Sequence, residues 1–95
     1  MAGYQRRNYP VENPAFHGMV RRMLRAMGRR VATDGDIEGL ADMVKMRDEL
    51  DGLIAETVAS LREDYGYSWA EVGKHTGMTR QAAQQRWGQT VSTIR

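Results

Sequence analysis

One segment narrows the folds open to this chain more than any other. It is Ser68 to Trp87, Ser-Trp-Ala-Glu-Val-Gly-Lys-His-Thr-Gly-Met-Thr-Arg-Gln-Ala-Ala-Gln-Gln-Arg-Trp. It reads as two short helices joined by a tight turn. Ser68 and Glu71 have the spacing of a capping box, in which serine hydroxyl and glutamate carboxylate each accept from the other residue's amide. The first helix runs from Trp69 to about His75, with Trp69, Val72 and Gly73 able to face inward. Gly77 supplies the positive φ of a sharp turn. Met78 is the apolar pin after the turn, and Thr79 caps the second helix. In that helix Ala83 and Trp87 share one face, while Gln81, Gln84 and Gln85 lie away from it. A small-residue inner face with Arg and Gln outside suits the reading of base edges in a major groove. The plain alternative is an αα-hairpin of a helical bundle. Such a helix usually carries Glu and Lys in i, i+4 pairs, whereas no acidic residue occurs from Gly77 to Arg95.

The segment resembles the helix-turn-helix of small actinobacterial and actinophage DNA-binding proteins. Their pattern runs Ser-Trp-x-Glu-Ile-Gly, a few residues, Leu-Gly-Val-Ser/Thr-Arg-Gln-Ala-Ala, then Gln-Arg-Phe/Trp. Here it is carried by Ser68, Trp69, Glu71, Val72, Gly73, Gly77, Met78, Thr79, Arg80, Gln81, Ala82, Ala83, Gln85, Arg86 and Trp87. The chain departs from it at Thr76, where that family usually has leucine. The resemblance covers about the last third of the chain. It implies DNA binding, but regulators, sigma factors, recombination proteins and packaging proteins all use such motifs.

Ninety-five residues make one small domain. With no cysteine there is neither a disulfide framework nor a thiolate zinc site. No apolar run is long enough to span a membrane, and the first residues lack an apolar signal segment, so a cytoplasmic location is expected. The net charge of +2 hides an asymmetry. Residues 1–35 hold seven basic and two acidic groups, residues 36–65 three and nine, and residues 66–95 four and one.

Taken in order, residues 1–12 read as a flexible basic arm whose Arg6 and Arg7 are candidates for minor-groove or phosphate contact. Asn13-Pro14 is a helix start. Phe16, Met19, Val20, Met23, Leu24, Met27 and Val31 then follow helical spacing, opposite Arg21, Arg22, Arg25, Arg29 and Arg30. The expected role of Met19, Met23 and Met27 is flexible core filler. Thr33-Asp34-Gly35-Asp36 is a turn with a cap at its end. A long helix follows from Ile37 to about Asp64, with a stripe of Ile37, Leu40, Val44, Arg47, Leu50 or Asp51, Ile54, Val58 and Leu61. Gly52 is a weak point, and Tyr65-Gly66-Tyr67 ends the helix. The tail, 89–95, reads two ways: Gly88 is a helix stop, or Val91 and Ile94 extend the apolar face past it.

The expected fold is therefore all-α. Residues 13–65 form an antiparallel helical hairpin, arginine-rich against acid-rich. Its long second helix leads into a C-terminal helix-turn-helix, residues 53–88. Ile54, Val58 and Leu61 are expected to pack on Trp69, Val72, Ala83 and Trp87.

No constellation of residues supports catalysis, and His17 and His75 have no partner at a metal-ligand spacing. Neither enzyme activity, metal nor cofactor is expected. The expected function is sequence-specific binding of double-stranded DNA, as a transcriptional regulator, with helix 79–87 in the major groove. Thr79, Arg80, Gln81, Gln84 and Gln85 are the base-contacting candidates. Ser68, Lys74 and Arg86 are the phosphate-contacting ones. A homodimer is expected through the hairpin, by the face from Met19 to Val31 or a shared stripe on the long helix. Two alternatives stand beside this. One is a protein-interaction module that grips a partner protein through the hairpin. The other is a non-specific accessory or chromosome-organising DNA binder.

Overall fold

The computed structural model describes residues 13–90, which are all-α: α1 (Asn13–Asp34), α2 (Ile37–Tyr65), α3 (Trp69–Thr76) and α4 (Arg80–Trp87). The arm with Arg6 and Arg7 lies outside the described residues, as do Val91 and Ile94. No helix among the described residues is long and apolar enough to cross a membrane. The chain divides into two compact units, whose boundary falls inside α2 between Lys45 and Met46.

The first unit holds α1 and the opening turns of α2. Gly35 stops α1 with φ 59°. The Asp36 amide then donates to the Val31 carbonyl (3.0 Å) and the Gly35 amide to that of Ala32 (3.3 Å). This pair of bonds closes a helix on a left-handed residue. Asp36 also opens α2, its carboxylate accepting from the Gly39 amide at 2.9 Å. A methyl group on Gly39 would lie 2.9 Å from Val31 Cγ2, and one on Gly28 would lie 3.7 Å from Met43 Cε. Contact between the two helices is thus visible beside the turn.

Away from the turn, α1 has no buried residue. Phe16, Met19, Val20 and Leu24 are exposed, Met23 is 65% exposed, and on α2 Ile37 is 74% exposed. The methionines read as core filler are therefore not in a core; only Met27 is as much as half-buried. Among the described residues, none of the five arginines of α1 pairs with a carboxylate; a described ion pair joins Arg47 to the adjacent Asp48, both well exposed. The expected arginine-against-acid pairing is absent from them.

The second unit has the core. α2 runs unbroken through Gly52 to Tyr65, and Gly66 ends it with its amide on the Arg62 carbonyl (3.1 Å). Val58, Val72, Ala83 and Trp87 form the buried cluster, with Ala55, Trp69 and Met78 packed around it. Here the structure corrects the expected partners from α2. Val58 is 6% exposed, but Ile54 and Leu61 are 37% and 39% exposed, and the buried neighbour of Val58 is Ala59. The face turned to the tryptophan is Ala55, Val58, Ala59. Small side chains there leave room for a bulky indole beside the helix backbone.

Candidate nucleic-acid interface

The α3–turn–α4 segment is fixed by local hydrogen bonds. Ser68 Oγ accepts from the Glu71 amide at 3.1 Å, and the Ser68 amide donates to Glu71 Oε1 at 2.9 Å. Both halves of the expected capping box are present. The Ser68 amide, donating to the carboxylate, favours the ionised form of Glu71 most, the Ser68 hydroxyl next and nearby His75 least, so the Glu71 pKa falls below the usual glutamate value.

The turn depends on two glycines for different reasons. Gly77 has φ 75°, the left-handed region that a side chain disfavours. The Met78 amide then reaches back to the Gly73 carbonyl at 2.8 Å. Gly73 is needed for space: a methyl group there would lie 2.7 Å from the Met78 carbonyl oxygen and 3.0 Å from the Thr79 carbonyl group. The backbone entering α4 lies directly against α3. Thr79 caps α4, its hydroxyl accepting from the Ala82 amide at 3.0 Å. Thr76 is exposed, and its hydroxyl donates to the Val72 carbonyl at 2.8 Å instead of the side chain filling the core as leucine would.

This scaffold fixes which way α4 faces. Ala83 is fully buried and Trp87 7% exposed. Thr79, Arg80, Gln81, Gln84 and Gln85 are all exposed. The five residues read as base-contacting candidates therefore share the outer surface of one short helix and its cap. Arg80 offers a planar five-donor fork, and the three glutamines offer paired donors and acceptors.

The three phosphate candidates are exposed as well. Ser68 Oγ accepts within its cap but keeps its own proton to donate. Lys74 lies in the last turn of α3. Arg86 is exposed, with its guanidinium carbon 5.9 Å from the centre of the Trp87 ring, at the long end of a cation–π contact. Glu71 is the last acidic residue of the chain. The surface of α4 thus carries cations and amides without competing carboxylates of its own.

Sequence reasoning missed one contact. The Arg62 guanidinium lies over the Trp69 ring at 4.2 Å, which joins the end of α2 to the start of α3 by a cation–π contact. Its sequence signal was the i, i+3, i+4, i+7 set of Ala55, Val58, Ala59 and Arg62, which places the arginine on the core-facing side. No family model, no curated protein and no solved structure matches this chain.

Proposed function

We propose that this chain binds double-stranded DNA through α3, the Gly77 turn and α4, acting as a helix-turn-helix with α4 in the major groove. In this reading α1 and α2, residues 13–65, carry the DNA-binding unit, and the protein is a transcriptional regulator. One observation carries it: α4 buries Ala83 and Trp87 and leaves Thr79, Arg80, Gln81, Gln84 and Gln85 exposed together. A helix used only as scaffold has no need of a surface made of Arg, Gln and Thr without a carboxylate.

Arg80, in the first turn, has the shortest reach to a base edge, and its fork matches guanine O6 and N7. The glutamines suit adenine N6 and N7 or the backbone. Ser68, Lys74 and Arg86 hold phosphates and set the register.

Two variants separate reading from holding. Arg80→Ala should cost about 1–3 kcal/mol on a preferred duplex and relax preference at one position. Lys74→Ala should weaken all duplexes alike and reduce the salt slope by about one unit for each bound copy. Binding titrations on a selected and a scrambled duplex, each at several salt concentrations, give both readouts. Equal losses on the two duplexes for Arg80→Ala would make the protein a non-specific accessory binder.

A further inference from the structure

A 22-residue helix that carries two interior glycines and buries no side chain is a poor helix by itself. Most helical stability in proteins comes from packing an apolar face, and each glycine costs about 1 kcal/mol against alanine. α1 has such a face, and so does α2, where Leu40, Val44, Leu50 and Leu53 are exposed. The exposed large side chains of α1 and α2 leave both helices with an uncovered apolar face.

Charge says what covers them. Between Asn13 and Asp34 the chain has five arginines and one acidic residue, whereas between Ile37 and Tyr65 it has eight acidic residues and three basic ones. The arginines of α1 find no carboxylate among the described residues. Each copy therefore holds one basic amphipathic helix and one acidic amphipathic helix, both with open apolar faces. We infer that a second copy of this chain covers them, α1 of one protomer lying on α2 of the other, and the reverse, across a two-fold axis. Such an interface is self-complementary and closes at two copies. DNA would satisfy the arginines but leave both apolar faces open, and an anionic membrane would cover the apolar face of α1 but repel the acidic α2 and leave its face open.

Sedimentation of the full chain at tens of micromolar should return a dimer. Val20→Glu together with Leu24→Glu should return a monomer. Both tryptophans belong to the other unit, so unchanged indole emission will show that its fold survives. Charge reversal then tests the pairing. One chain carries Arg22, Arg25 and Arg29 each changed to Glu; another carries Asp42, Glu49 and Asp51 each changed to Lys. Each alone should dimerise about tenfold more weakly or worse, and the two mixed should regain dimerisation as a heterodimer.

Pairing of α1 with its own α2 predicts no rescue on mixing, and that result overturns the inference. So does a parent that is monomeric at this concentration, whether or not it binds anionic vesicles. A chain that dimerises in this way yet ignores duplex DNA would keep the interface and lose the DNA reading.

Discussion

Trp87 and Gly73 meet the rest of the molecule in opposite ways, one by filling space and the other by leaving it. Truncating Trp87 to alanine removes the largest member of the buried cluster, and the expected loss is about 3–5 kcal/mol, read from urea or thermal unfolding. An unchanged melt would mean that the inner and outer faces of α4 are exchanged. Gly73→Ala adds one methyl group against backbone that cannot move alone, at 2.7–3.0 Å. We expect about 1–3 kcal/mol of destabilisation. Gly52→Ala is its control, since a methyl group there meets nothing within 4 Å. That change should stabilise by up to about 1 kcal/mol, so the two variants should move the melting temperature in opposite directions. From the sequence Gly73 read only as a residue able to face inward. Its close approach to Met78 and Thr79 depends on where the turn carries the chain, which no local pattern encodes.

At the scale of the elements, the ends were more legible than the faces. Ser68, Glu71, Gly77 and Thr79 act on amides within a few residues of themselves, so their identities alone announce the caps and turn. The packing face of α2 was less visible because both candidate faces are apolar. Large side chains drew the stripe through Ile54 and Leu61, but the indole of Trp87 selects the smaller face of Ala55, Val58 and Ala59. For α1 the apolar periodicity was plain, yet periodicity only says that a face needs covering and is silent about whether the cover comes from the same chain. The capping box makes a testable claim about pH. The folded state lowers the Glu71 pKa, so this contribution to stability is fully present above the unfolded value and is lost as pH falls through the folded value. Glu71→Gln should therefore remove part of the acid sensitivity of unfolding while leaving the neutral-pH fold intact. A denaturation series in the acidic range on parent and variant is the check; identical pH profiles would show that the box contributes nothing.

For the whole molecule, the division of labour follows the charge. The acidic middle of the chain and the basic helix before it form the faces assigned to a second copy, and the basic end carries the proposed DNA surface. A dimer presents two copies of α4 related by two-fold symmetry, so selection from a random duplex pool should return an inverted repeat. A single short site without repeat would place one protomer at a time on DNA.

Binding of the full parent chain to duplex DNA across a range of salt tests DNA recognition most directly. If two copies each place Lys74 and Arg86 on phosphates, the logarithm of affinity should fall against the logarithm of salt with a slope of about −3 to −4. No binding at low salt, from a protein whose helicity is intact, would contradict the account.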